Sequence, residues 1–306
     1  MGKIAFVFSG QGAQYSGMGK SFYDLSDSIK KLYDSADDIR PGTKNQSFFG
    51  SDEELKNTAN TQPCMYLTSL SAALLLNENG IFADGVAGFS LGEITALAYA
   101  GSYSHLDGFK IVSRRGELMR DAAQGLSTSM CAVVKLDSEA IADAASEFEK
   151  LYAVNFNCPG QTVVSGLSAS MPAFEEKIKS LGGRCIPLAV SAAFHSPFME
   201  SAAENFSQFL KTEEINLPKI PVYANLTGEI YGENVTEYLE KQMKSPVKWQ
   251  QTIENMIADG FTDFIEVGAG KTLCGFIKKI SRDVNVYSVE NAETLEETVR
   301  VVKTDA

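Results

Sequence analysis

Residues 85–93, GVAGFSLGE, place a serine in the spacing Gly88-x-Ser90-x-Gly92, directly after an apolar run and directly before a helical one. Two readings compete. In one, the glycines turn the chain and Ser90 caps a helix. In the other, the turn is a nucleophile elbow, a sharp strand-to-helix corner that lifts the hydroxyl to the top of a sheet. The second reading requires a buried parallel strand before the serine, so the rest of the chain must be of the α/β class.

Working outward, the pattern agrees. KIAFVFSG (3–10) is an unbroken apolar run ending at glycine, as expected of a strand covered on both faces. A helical stretch follows over 21–39, then a polar loop through RPGTKNQSFFGSDEE (40–54). A helix is expected over TQPCMYLTSLSAALLLNENG (61–80), with proline near its start and glycine at its end. After the elbow comes the helix LGEITALAYAG, with Glu93 suited to the helix dipole in its first turn.

Between residues 126 and 190 the rhythm becomes βαββαβ, the split-βαβ, ferredoxin-like unit. It reads as an insertion, so residues 1–125 and 191–306 would form the large domain and 126–190 the small one. The large domain then resumes with helix, the strand IPVYANL, helix, the strand DFIEVG and a last helix from Lys271.

Composition limits the function. The chain has 306 residues, 44% hydrophobic and 22% charged, as in an ordinary globular protein. Its net charge of −12 argues against nucleic acid as the main partner. Five scattered cysteines without a C-x-x-C suit a reducing compartment, and only two histidines make a zinc site improbable. The opening MGKIAFVFSG lacks the long apolar region of a signal peptide, and no stretch has the apolar length to cross a membrane, so a cytoplasmic location is expected. GMGKS (17–21) and GAGKT (268–272) are not phosphate loops, because Gln14 and Ile265 stand where the leading glycine is needed.

A nucleophilic serine needs a base. His195 lies in the loop SAAFHSPFM, where functional residues collect, whereas His105 in GSYSHLDG reads as a surface or capping residue. His195 is either the base or a satisfied loop histidine, and no carboxylate near it in sequence can be assigned to orient it. On LDGFKIVSRRGELMRD, turning about 100° per residue, Phe109, Val112, Gly116 and Met119 form an apolar arc that also holds Arg115. Arg114 falls on the polar face with Lys110, Glu117 and Asp121. A guanidinium facing the interior is either a structural ion pair or a clamp for a substrate carboxylate.

These pieces together resemble a family. FVFSGQGAQYSGMG (6–19), TQP (61–63), GFSLGE (88–93), RRGELM (114–119), NFNCPGQTVVSG (155–166), AFHSPFM (193–199), SPVKW (245–249) and EVGAGKTL (266–273) occur in the order seen in malonyl-CoA:acyl-carrier-protein transacylases. The resemblance covers nearly the whole chain. It implies an α/β-hydrolase-like domain with a parallel sheet and a ferredoxin-like insertion. It also implies malonyl transfer from malonyl-CoA to an acyl carrier protein for fatty-acid synthesis, without metal or redox cofactor and by a monomer.

The resemblance implies roles for particular residues: Ser90 as acyl carrier, His195 as its activator, and the amides of Gln11 and Leu91 as oxyanion hole. Arg115 would hold the malonyl carboxylate, and the Gln242 backbone carbonyl would orient the histidine. Phe194 matches the pattern for malonyl over α-branched groups, since an aromatic wall would meet an α-methyl. Phe89 departs from the pattern, as many members have histidine before the serine. Arg114, Lys248 and Lys271 are candidates for a local basic patch facing an acidic carrier. The rival readings are a serine hydrolase or thioesterase, a trans-acting polyketide synthase acyltransferase, and a non-catalytic carrier-binding scaffold.

Overall fold

The computed structural model describes residues 2–190 and 192–304. Residue 191, where the large domain was expected to resume, lies outside the described residues, as do residues 1, 305 and 306. In chain order the strands are β1 Lys3–Phe8, β2 Gly85–Gly88, β3 Thr128–Val134, β4 Leu151–Cys158, β5 Gln161–Leu167, β6 Arg184–Pro187, β7 Val222–Tyr223, β8 Phe261–Val267 and β9 Asn285–Val289. The helices before the small sheet are α1 Lys20–Leu25, α2 Asp27–Ile39, α3 Thr43–Phe49, α4 Asp52–Lys56, α5 Thr58–Glu78, α6 Leu91–Tyr99 and α7 His105–Ala123. Then follow α8 Ser138–Ser146, α9 Met171–Ser180, α10 Glu200–Leu210, α11 Val235–Lys244, α12 Trp249–Ala258, α13 Thr272–Ile280 and α14 Ala292–Thr304.

Five strands form a wholly parallel sheet in the order β7-β2-β1-β8-β9. Its central strand explains the unbroken apolar run. Ile4, Phe6 and Phe8 face a core with Tyr66, Leu70, Ile94 and Phe109, while Ala5 and Val7 face Trp249, Ile253 and Phe264 on the other side. With helices on both faces, each position from Ile4 to Phe8 is apolar and buried.

The second sheet is antiparallel, β4-β5-β3-β6, as the βαββαβ order requires. Alternation along β3 gives it two different faces. Cys131 and Val133 pack on α8 and α9 with Ile141 and Phe174. Met130 and Ala132 pack with Val163, Leu188, Val190 and Phe194. Backbone bonds from Phe156 N–H to Val247 (2.9 Å) and from Val247 N–H to Val154 (2.8 Å) tie this sheet to the segment SPVKW.

Four expectations need correction. The polar loop over 40–54 holds α3 and the start of α4; a reciprocal capping box between Ser51 and Glu54 starts α4, and its S-x-x-E spacing was readable. The helical stretch over 21–39 is two helices meeting at Ser26. The α5 helix starts at Thr58, capped by Asn57, so Pro63 lies inside it. Finally, the chain does not end with the helix after Lys271: β9 pairs parallel with β8, and α14 follows. NVYSV is a short, half-buried edge strand, and such strands carry a weak periodic signal.

Candidate active site

The elbow is built by close approach. A Cβ at Gly88 would lie 2.0 Å from the Gly92 carbonyl carbon, and one at Gly92 would lie 2.2 Å from the Phe8 carbonyl oxygen. Only glycine lets β2, β1 and the start of α6 meet so tightly. Between them Ser90 is held at φ 53°, ψ −106°, a strained conformation for an L-residue. Its side chain makes no capping bond. Its Oγ lies 2.7 Å from His195 Nε2 and accepts from Arg115 NH2 at 3.2 Å.

Asn225, which the sequence reading did not single out, clamps the turn from both sides. Its Oδ1 accepts the Ser90 N–H (2.7 Å) and its Nδ2 donates to the Gly88 carbonyl (2.6 Å). The clamp spans 135 residues of chain, so no local pattern could reveal it.

His195 is buried and also left-handed, at φ 59°. Its Nδ1 lies 2.9 Å from the Gln242 backbone carbonyl. A carbonyl only accepts, so Nδ1 carries the proton and Nε2 presents its lone pair to the serine. Burial and the Arg115 charge push His195 down to about 4, against the bonds from the Gln242 and Ser245 backbones. At neutral pH the ring is therefore neutral, the form a general base needs.

Arg115 is almost fully buried, as its place in the apolar arc required, while Arg114 is exposed and pairs with Glu117 at 3.1 Å. Among the described residues no carboxylate grips Arg115 directly, which argues against the structural ion pair. Its NH1 donates to Gln62 Oε1 and its NH2 to Gln242 Oε1, each at 2.8 Å, and its buried Nε has no partner among the described residues. Burial lowers its pKa to about 10, opposed by Glu93 and Tyr231, so it stays charged at neutral pH. Gln62 sits in the TQP motif, but the sequence reading gave it no role.

Glu93 lies in the first turn of α6, as expected, but it is also fully buried, bonded to the Tyr231 hydroxyl, the Asn225 N–H (2.9 Å) and Gln242 Nε2 (3.2 Å). Burial raises its pKa to about 7, while those three donors and Arg115 act to lower it.

A cavity of about 90 Å³ is lined by Gln11, Ser90, Leu91, Arg115, Phe194 and His195, among others. The structure thus brings together six of the seven residues singled out, and Gln242 stands behind them. Gln11 follows β1, and its side-chain carbonyl accepts from Thr58 (2.8 Å). Leu91 opens α6, so its amide has no acceptor within the helix. A wider cavity of about 650 Å³ shares Gln11, Val190 and Phe194 with the first and carries Lys56 and Arg120.

Phe89 packs edge-on against Trp249, with ring centroids 5.5 Å apart. His105 is half-buried in the first turn of α7, and the cap is Ser104. Lys248 is exposed, and Lys271 lies 3.9 Å from Glu290. No helix among the described residues is long and apolar enough to cross a membrane.

Comparison with known proteins places this geometry. The acyl transferase domain family matches residues 5–298. A malonyl CoA-acyl carrier protein transacylase of Bacillus subtilis is 38% identical over 311 residues, covering 99% of this chain and 98% of the relative. One from Synechocystis is 36% identical, covering 96% and 99%. The crystal structure of the Clostridium perfringens transacylase superposes with a TM-score of 0.94 at 36% identity, over 99% of this chain and 98% of that one. A malonyl-transacylase in complex with a holo type II polyketide synthase acyl-carrier protein also gives 0.94, at 29% identity over 98% and 99%. With the elbow, the histidine and the buried guanidinium gathered in one small cavity, the chain belongs to the malonyl-CoA:acyl-carrier-protein transacylase family.

Proposed function

We propose that this chain transfers a malonyl group from malonyl-CoA to the phosphopantetheine thiol of an acyl carrier protein through a Ser90 ester, supplying fatty-acid synthesis. His195 Nε2 takes the Ser90 proton as Oγ attacks the thioester carbonyl. The amides of Gln11 and Leu91 receive the developing oxyanion. The histidine returns the proton to the departing CoA sulfur, and the carrier thiol then reverses the sequence. The Gln242 carbonyl keeps the imidazole in the working tautomer.

The observation that carries this reading is the Arg115 guanidinium 3.2 Å from the nucleophile, buried and with an N–H unpartnered among the described residues. A serine hydrolase of neutral esters has no use for a desolvated cation there. A free carboxylate on the acyl group supplies its partner. Phe194, on the cavity wall, selects against an α-methyl.

The site is complete within one chain, which supports action as a monomer; the acidic balance supports an enzyme without nucleic-acid partners, and the five scattered cysteines support a reducing, cytoplasmic compartment. Arg114, Lys248 and Lys271 remain the candidates for carrier contact. Residues 126–190 form the inserted ferredoxin-like domain, with 1–125 and 191–306 as the catalytic one. The complex of a similar transacylase with a polyketide carrier favours a second reading, in which the same transfer serves polyketide assembly.

The test is a two-stage mass measurement. Malonyl-CoA alone should add one malonyl group to the Ser90 peptide, and holo carrier protein should then remove it. Release as free malonate at the same rate without carrier would make the chain a hydrolase.

A further inference from the structure

Glu93 takes no part in the proposed transfer chemistry, yet two of the three hydrogen bonds to its carboxylate come from residues that hold a reacting residue. Its Oε2 accepts the Asn225 backbone N–H (2.9 Å), and the Asn225 side chain fixes the Ser90 N–H and the Gly88 carbonyl. The same oxygen accepts from Gln242 Nε2 (3.2 Å), which also donates to the Ser90 carbonyl (2.8 Å). Gln242 then presents its side-chain oxygen to Arg115 and its backbone carbonyl to His195 Nδ1. The Tyr231 hydroxyl anchors Oε1 from the far side. We infer that Glu93 is a positioning residue, whose buried carboxylate sets the distance and angle between Ser90 Oγ and His195 Nε2 by fixing Asn225 and Gln242 together.

Both clamps arrive from a stretch of chain distant from Glu93, one ahead of α11 and one within it. Both Ser90 and His195 sit at strained positive φ, at 53° and 59°, so neither backbone holds its conformation unaided. A common anchor is what registers one strained residue against the other. An apolar residue at 93 would leave the Asn225 N–H and one Gln242 N–H buried and unpaired, and both clamps would relax. Glutamine would not. Its carbonyl can take the Oε2 place, and its NH2 can donate to the Tyr231 oxygen, so the inference concerns acceptor geometry rather than charge.

The inference rests on the proposed roles of Ser90 and His195, so its readout must report their pairing without malonyl or Arg115. Phenylmethylsulfonyl fluoride, which is neutral, serves: the serine oxygen displaces fluoride at sulfur, and the histidine takes the proton. Failure of wild type to label at Ser90 would overturn the serine–histidine roles themselves. If wild type labels, Glu93→Ala should label at least tenfold more slowly well below its melting temperature, with malonyl kcat falling in parallel and KM within about threefold. Glu93→Gln should recover most of the loss.

Wild-type labelling by a folded but less thermostable Glu93→Ala would overturn the inference, leaving Glu93 a support of the fold alone. Glu93→Gln as slow as the alanine variant would overturn it equally. If Glu93→Ala does not fold, Tyr231→Phe carries the test, because it frees only the Oε1 anchor. That variant should label three- to tenfold more slowly with KM unchanged, and an unchanged rate would overturn the inference.

Discussion

Two strand–turn–helix corners lie near one another at the carboxyl ends of the parallel sheet, β2–α6 and β8–α13, and they solve one problem in opposite ways. Each helix start gathers amides that lack partners within the helix. At β8–α13 the chain fills that pole itself: the Glu266 carboxylate accepts the Leu273 N–H (3.1 Å) and the Cys274 N–H (2.7 Å). The tight backbone falls on glycines, Gly268 at φ 117° and Gly270 at φ 79°. At β2–α6 the strain falls on Ser90, and the acidic residue of the first turn, Glu93, sends its oxygens to Asn225, Gln242 and Tyr231. The first corner is closed and structural. In the proposed mechanism the second leaves its pole to a charge that exists only while acyl transfer proceeds.

The sharpest way to break this contrast is Ser90→Ala, which should cut transfer by at least about 10⁴-fold and leave the melting temperature unchanged or higher. Intact mass after malonyl-CoA should show no adduct. An adduct on any other peptide would remove the β2–α6 corner from the chemistry.

Next comes the reciprocal change at the closed corner. A Cβ at Gly268 would lie 2.1 Å from Ser69 Oγ, in a backbone conformation that L-residues rarely adopt. Gly268→Ala should therefore cost about 2–4 kcal/mol of stability, seen in denaturant unfolding, while kcat of the folded enzyme stays within threefold. A large kcat loss without destabilisation would mean that the two corners share the chemistry.

Arg115→Ala sharpens what the open corner faces. Malonyl transfer should fall by about 10- to 150-fold, the loss of a charge-assisted pair, while acetyl transfer is kept or gained. Arg115→Lys should rescue poorly, and Arg114→Ala should change either rate less than twofold. The pH profile carries a sign as well. Burial and then the Arg115 charge push His195 down to about 4, and the proposed base works only when neutral. Without that charge, the acid limb of kcat/KM for acetyl transfer should move to higher pH.

The smallest effect concerns the opposite wall. Phe194→Ser should raise methylmalonyl over malonyl transfer by about tenfold, within the limit for discriminating one methyl group. An unchanged ratio in paired kinetics would place the α-carbon elsewhere.

What was legible in the sequence followed from local rules. The apolar run of β1, the βαββαβ order and the Gly-x-Ser-x-Gly corner each express a short-range constraint, and each is present. Arg115 was legible for the same reason, because helical periodicity alone puts it inside and Arg114 outside. Asn225 and the buried state of Glu93 were not legible, since their bonds join residues 132 or more positions apart. Gln242 entered only through family resemblance, because a backbone carbonyl leaves no mark on the side chain that bears it. The β9 strand escaped through its short, weakly alternating edge.

That carbonyl has a consequence for how such a site ages and how it can be dissected. The group that His195 Nδ1 meets belongs to the main chain, so every codon at position 242 still supplies it. Alanine at 242 would report only the lost side-chain bonds to Ser90, Arg115 and Glu93, and drift at that position could wear away those contacts while the hydrogen bond to the histidine endures. Only exchange of the peptide link itself, for example by an ester bond between residues 242 and 243, would weaken the acceptor, since an ester carbonyl is less basic. Such a backbone edit at Gln242 would be the one genetic-code intervention able to test that acceptor directly.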